Sequence, residues 1–378
     1  MRVTNKWLPD DQLARISIEQ KQEVNDDVLL FAFKSKVKFK VGEEVFERDV
    51  AIDERKHEFY FKLSEKPQIV RFDPDYALLA EIDFEKSDGL VEAQLKDQDD
   101  VVGRLLACAA LAERETKDSV AALADALQND PFFGVRIEAA TALEQIGTEE
   151  AYKALAASRE QSDARVRLHV VEKIGEFYLP EARDLLRNVS SQETNPGHAA
   201  EAIAGLDKYQ GSEVSQALRQ ALAVRTLDNE QAVAALRSIG RRRSAALRKD
   251  VLAALQFHAE ESHQEAVGAA LTALARISNR PKGREEVYDA IAKFVQHPRR
   301  RFQLSAVRAL GRLGDPRAQT ILKPLAARTH HDRLASAAEE ALERIENEAP
   351  TAPKEIANLR REVREMRKEL DELQEEFE

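Results

Sequence analysis

The sequence predicts a mainly α-helical protein with an N-terminal all-β domain, an α-solenoid of about eight stacked hairpins, and a charged C-terminal helix. Three observations predict it. Val135-Arg136-Ile137-Glu138-Ala139-Ala140-Thr141-Ala142-Leu143-Glu144-Gln145-Ile146-Gly147 returns as Phe302-Gln303-Leu304-Ser305-Ala306-Val307-Arg308-Ala309-Leu310-Gly311-Arg312-Leu313-Gly314. Weaker copies start near Gly103, Val166, His198, Asp228, Ala266 and Leu334. Their interval, roughly 30 to 38 residues, is that of stacked helical hairpins, each too small to bury its apolar face alone. Eleven of the 22 aromatic residues lie before residue 85, in segments that alternate apolar and polar. Beyond residue 353 the apolar residues fall three and four apart.

Composition narrows the class of function. The chain of 378 residues is long enough for two or three domains. With 43% hydrophobic and 33% charged residues it reads as globular and soluble. No apolar run approaches the length of a membrane span. Met1-Arg2-Val3-Thr4-Asn5-Lys6-Trp7 lacks the apolar stretch of a signal peptide and reads as the middle of a longer protein, so the expected location is cytoplasmic. Cys108 is the single cysteine and sits among Leu105, Ala107 and Leu111, which fits a buried inert thiol. A net charge of -11 opposes binding to nucleic acid or to acidic membranes.

Residues 1–85 form the β domain. Period-two alternation marks strands at Ala14–Gln20, Phe31–Phe33, Val37–Val41 and Glu58–Leu63. Gly42-Glu43-Glu44 and Asp53-Glu54-Arg55-Lys56 supply turns. Pro67 and Pro74 flank a further strand, Gln68–Phe72, with Asp73 and Asp75 around Pro74 in a tight turn. Short alternating strands at this spacing suggest a small antiparallel, Ig-like sandwich that leans on its neighbours for stability. Leu78, Leu79, Ile82 and Phe84 carry the chain out of it.

Residues 86–346 form the solenoid. Ala139, Ala142, Ala306 and Ala309 let paired helices approach, while Leu143, Ile146, Leu310 and Leu313 fill the space between them. Gly147 and Gly314 stand where a left-handed cap ends a helix. Asp315-Pro316-Arg317 then places proline for the next start. This grammar is HEAT/armadillo-like. Residues 347–353 carry two prolines and read as a linker. In residues 354–378, Ile356, Leu359, Val363, Met366, Leu370, Leu373 and Phe377 make a heptad seam on a coiled-coil helix, a route to weak self-association. A helix folded back on the solenoid is the alternative.

The N-terminal third carries a further set of motifs. Trp7-Leu8-Pro9-Asp10 is followed by Ile16-Ser17-Ile18-Glu19-Gln20-Lys21-Gln22 and Phe31-Ala32-Phe33. Pro67-Gln68-Ile69-Val70-Arg71-Phe72-Asp73-Pro74-Asp75, Leu78-Leu79 and Gly103-Arg104-Leu105-Leu106-Ala107 complete it. In order and spacing this run resembles the segment that follows the catalytic domain in M1-family zinc aminopeptidases, covering roughly residues 1–115 by motif and the solenoid by architecture. The resemblance implies a β-sandwich spacer followed by a helical domain that covers the active site. Such enzymes need a His-Glu-x-x-His helix with a second glutamate to hold zinc, and a Gly-x-Met-Glu-Asn strand. Neither occurs here. His57-Glu58 runs into Phe59-Tyr60-Phe61, a strand. His258 and His263 are five apart and share no helical face well, and His330 and His331 point apart. No cofactor is expected in this chain; zinc would belong to a catalytic domain in cis upstream.

Arg241-Arg242-Arg243 and Arg299-Arg300-Arg301 are the candidate anion- or peptide-binding residues, two basic clusters at the ends of repeats that could share one edge of the solenoid. Solvated turns that complement Glu260-Glu261 and Glu285-Glu286 are the alternative. No nucleophile-elbow or phosphate-loop pattern occurs. The leading expectation is therefore the non-catalytic C-terminal region of an M1-like aminopeptidase, a chain inactive alone whose solenoid gates peptide access. Its partners would be the catalytic domain and peptide substrates. The alternative is a stand-alone HEAT scaffold that binds another protein.

Overall fold

In the computed structural model, residues 1–278, 283–327 and 333–348 are described. The heptad seam of 354–378 and the pair His330-His331 lie outside the described residues. The chain forms two compact units, the first Met1–Phe177 and the second starting at Tyr178. That division does not fall at the change from strand to helix near residue 86. It falls three hairpins later.

The first unit opens with seven strands: β1 (Arg2–Leu8), β2 (Leu13–Glu19), β3 (Phe33–Val41), β4 (Glu44–Ile52), β5 (Lys56–Lys62), β6 (Ile69–Phe72) and β7 (Asp83–Glu85). They make two sheets, ordered β5-β2-β1-β7 and β4-β3-β6. Arg2 pairs with Glu19 and Leu8 with Leu13 across β1 and β2, while Phe33 opposes Ile52 across β3 and β4. Alternate residues face inward, and Val3, Ile16, Ile18, Val37, Phe39 and Ile52 are completely buried between the sheets. Gly42, at φ +58°, makes the β3–β4 hairpin turn in a conformation that glycine adopts at no steric cost.

Two details differ from the sequence expectation. The strand expected at Phe31 begins at Phe33, because Phe31 is drawn to the side chain of Gln20 instead. Leu78, Ile82 and Phe84 do not carry the chain away: all three pack on the sandwich core, and β7 returns parallel to β1. Only Leu79 points fully to solvent.

Six helices follow in the first unit: α1 (Asp88–Leu95), α2 (Val101–Ala112), α3 (Lys117–Asn129), α4 (Phe133–Ile146), α5 (Glu149–Ala157) and α6 (Ala164–Glu176). The second unit holds α7 (Pro180–Gln192), α8 (Pro196–Gly205), α9 (Ser212–Ala223), α10 (Glu230–Arg242) and α11 (Arg248–Glu260). It continues with α12 (Gln264–Ile277), α13 (Arg284–Ala292), α14 (Arg300–Leu313), α15 (Ala318–Ala326) and α16 (Arg333–Glu348). Each odd-numbered helix packs on the even-numbered helix after it, giving three hairpins in the first unit and five in the second. Asp100, Thr116, Thr148 and Asp163 cap helix starts with side-chain oxygens that accept backbone N–H bonds. Gly147 and Gly314, both at φ 66°, end α4 and α14 in the left-handed cap the repeat predicts.

Within each unit the even-numbered helices also stack on one another: α2, α4 and α6 in the first, and α8, α10, α12, α14 and α16 in the second. Small residues make this possible. Ala139, Ala306 and Ala309 are buried at the repeat positions the sequence singles out. A Cβ added at Gly240 would lie 3.1 Å from the Cα of Ala273, and one at Gly311 would lie 2.7 Å from the Cα of Ala341. Side-chain-free steps of this kind let backbones touch.

Candidate functional site

The motif residues of the first unit are structural. The Gln20 side chain is buried; it donates to the carbonyls of Phe31 and Glu54 and accepts from the amide of Phe31. Asp73, in the left-handed region at φ 50°, accepts from Ser35 Oγ and from the amides of Ala77 and Leu78. Arg71 Nη1 meets Asp100 Oδ2 at 2.7 Å, and Arg104 grips both carboxylate oxygens of Asp130 at 2.7 and 3.2 Å. These residues tie the sandwich to α2 and α2 to the loop after α3.

Two clefts open on this unit. One, of about 600 Å³, lies between α1 and α3 and is lined by Glu92, Lys96, Asp118 and Asp125, with the Arg104–Asp130 pair at its base. The other, of about 570 Å³, is lined by Trp7, Pro9, Lys66, Pro67 and Lys86. Burial, reinforced by Arg71, pushes the Lys86 ammonium down to about 7, while Gln94 Oε1 accepts from it at 2.5 Å and the Phe84 ring stands 4.5 Å away. Neither cleft assembles a nucleophile with a base.

The other chemical candidates resolve as packing. Cys108 is buried and its thiol is pushed up to about 12 by burial, so no thiolate forms near neutrality. His57 Nε2 accepts the amides of Asp53 and Glu54 and closes the β4–β5 turn. His258 and His263 do meet, with Nδ1 atoms 3.0 Å apart, because the chain reverses between α11 and α12 through Ser262 at φ 65°. They are not on one helix at all. Burial first, then His263 and Arg225, pushes His258 down to about 4. Among the described residues no three metal-ligating side chains converge.

The two arginine clusters lie at opposite ends of parallel helices. Arg241 and Arg242 end α10, and Arg243 caps it at φ 52°. Arg299 caps the start of α14, and Arg300 and Arg301 open it. Gly240 near the end of α10 packs beside Ala273 near the end of α12, while Arg301 Nη1 donates to Gln264 at the start of α12 at 2.9 Å. The clusters are therefore separated by a helix length, about 20 Å for 13 residues. Arg242 is committed internally: its Nη1 donates to the carbonyls of Leu206 and Tyr209, and burial lowers its pKa. Arg241 pairs with Asp207. Arg299 stands 6.0 Å from the Phe302 ring.

The open surface of the even-numbered stack in the second unit is the extended feature left. Arg237 and Arg241 are exposed on α10; Gly268, Ala269, Thr272 and Arg276 are half-buried on α12. Leu304, Ser305 and Arg312 are half-buried on α14, beside exposed Arg308. Small side chains thus line the middle of the face beside Arg237 and Arg308, and Arg241, Arg276 and Arg312 stand near the helix C-termini. Sequence reasoning misses this face because its residues come from different repeats; aligning the repeats column by column is the signal that finds it.

Comparison with known proteins fits this geometry. The profile of HEAT repeats matches residues 87–167 and 252–343. No curated protein matches the chain. Among solved structures, the karyopherin Kap121p bound to the extreme C-terminus of the protein phosphatase Cdc14p is 13% identical, with a TM-score of 0.53 over 69% of this chain and 33% of that one. Kap121p bound to Pho4p gives 13% identity and a TM-score of 0.51 over 68% and 32%. Legionella pneumophila aminopeptidase A in complex with aspartic acid gives 14% identity and a TM-score of 0.44 over 90% of this chain. This chain spans 48% of the aminopeptidase's length and about a third of the karyopherin's. The protein is thus a β-region followed by a HEAT-repeat solenoid, and no helix among the described residues is long and apolar enough to cross a membrane.

Proposed function

We propose that the chain is a protein-binding HEAT scaffold whose contact surface is the open face of α10, α12, α14 and α16. One observation carries this reading. That face is continuous across four hairpins, with small residues at Gly268, Ala269 and Ser305 and no sequestered reactive group. A surface of this kind admits an extended partner over several repeats. The karyopherin likeness supports it as a likeness of fold. Affinity capture with the native chain tests the reading against Ser305→Trp and Ala253→Trp, the second on exposed α11 surface. A specific partner lost only with Ser305→Trp is expected; loss with Ala253→Trp instead counts against it.

A second reading is favoured by the motif run of the first 115 residues, whose members Gln20, Arg71, Asp73 and Arg104 all hold the sandwich and first helices in place. In that reading the chain is the non-catalytic C-terminal region of an M1-like aminopeptidase, and the solenoid limits which peptides reach the active site of an upstream domain. Sequencing of the coding region upstream of Met1 separates the two. A His-Glu-x-x-His codon run there favours the peptidase reading, and its absence favours the scaffold.

A further inference from the structure

The last four even-numbered helices each carry one arginine at the same step of the repeat: Arg241, Arg276, Arg312 and Arg344. Packing fixes the equivalence. Gly240, next to Arg241, lies against Ala273, and Gly311, next to Arg312, lies against Ala341. The helices run parallel, so the arginines line one edge of the open face. At the same step α4, α6 and α8 have Gln145, Glu176 and Gly205, so the column belongs to the last four hairpins alone.

Arg241 is paired with Asp207. Arg276, Arg312 and Arg344 make no hydrogen bond or ion pair among the described residues. Glu340 and Glu343 are exposed on α16 near Arg344, without reaching ion-pair distance. Burial, then Arg276 and Arg344, lower the pKa of the Arg312 guanidinium, which stands between the two in the column. Like charges held this close repel, and an anion from outside relieves that repulsion.

The spacing says what shape the anion has. Packed helices stand about 8–10 Å apart. A polyproline II chain repeats every three residues, about 9.3 Å at 3.1 Å per residue. A carboxylate at every third residue would therefore meet successive arginines. Resting on the scaffold reading, we propose that Arg276, Arg312 and Arg344 form an anion ladder for an extended acidic segment of a partner protein, with Glu or Asp at every third residue.

The test is fluorescence anisotropy of a fluorescein-labelled peptide of repeated Glu-Pro-Ala, titrated with the full chain at low and high salt. Saturable binding that weakens with salt is expected. The double variant Arg276→Gln/Arg312→Gln is expected to lose roughly tenfold, the equivalent of two exposed charge contacts. Arg333→Gln, exposed at the opposite end of α16, is expected to bind as the native chain does. A peptide of the same composition with its glutamates in one block is expected to bind several-fold more weakly. Equal binding by the double variant, or equal binding of the blocked peptide, overturns the ladder. If capture still depends on Ser305 in that case, the scaffold reading stands without it. Single Arg276→Gln and Arg312→Gln variants, each checked by circular dichroism, serve if the double variant misfolds; native affinity in both overturns the proposal too.

Discussion

Arg71 and Asp100 form an almost fully enclosed ion pair: Nη1 and Oδ2 are 2.7 Å apart and the arginine side chain is 1% exposed. The pair joins β6 to the start of α2, and the other Asp100 oxygen accepts the amide of Gly103 at 2.7 Å. One carboxylate thus neutralises a buried cation and caps a helix. With Leu90 of α1 inside the sandwich core and Lys40 bonded to Asp97, it explains why the sandwich and the first three hairpins form one unit.

Asp100→Ala is expected to destabilise the first unit by roughly 3–5 kcal/mol, because it leaves Arg71 buried without its counter-charge and removes a cap. Urea denaturation checks this. The double replacement Arg71→Met/Asp100→Leu should cost less than Asp100→Ala alone, since it leaves no orphaned charge.

The small-residue seam yields a contrast. Gly311→Ala would drive a Cβ to 2.7 Å from the Cα of Ala341 and is expected to destabilise by roughly 1–3 kcal/mol. Ala306→Leu and Ala139→Leu, at fully buried positions, should do the same by overpacking. Gly89→Ala meets nothing within 4 Å on α1 and is expected to be neutral or to stabilise by up to about 1 kcal/mol. Thermal melts of the four variants rank them.

How much of this was legible in the sequence follows from locality. The repeat could be read because Ala306, Leu310 and Gly314 answer to helix packing and capping within one hairpin. Strands β2, β3 and β5 could be read from alternation, and β6, buried at all four positions, from the prolines that flank it. Strand β4 was not, because most of its residues are exposed on an edge and only Val50 and Ile52 are fully buried, with Phe46 packed on the core from its rim. The β7–β1 pairing joins residues some 80 positions apart. The basic clusters were visible as composition, but their placement at opposite ends of α10 and α14 depends on which helices run parallel. The arginine column was present in the sequence as a register, hidden by the unequal lengths of the loops between repeats.

The buried histidine sets a pH dependence. Unfolded His258 takes up its proton near pH 6.5, whereas in the fold it does so near 4. Its contribution to stability is therefore complete above about pH 6.5 and is lost as pH falls toward 4, up to about 3 kcal/mol for a shift of this size. Unfolding midpoints at pH 7 and pH 5 check this. His258→Gln should flatten the difference between them.

The heptad seam of residues 354–378 is expected to give weak self-association and to be dispensable for folding of the solenoid. Sedimentation of the full chain against a chain ending at Ala349 checks it. Two monomers at high concentration would refute the coiled coil, and a lower melting point for the shortened monomer would mean that the helix packs on the last hairpin.

The proposed seat of a protein partner is the even-numbered face of the second unit. Benzoylphenylalanine placed at Ser305, on that face, and separately at Ala253, on exposed α11, allows photo-crosslinking in an extract of the source cells. A discrete crosslinked partner is expected from Ser305 and none from Ala253. A partner crosslinked from Ala253 and not from Ser305 would contradict it.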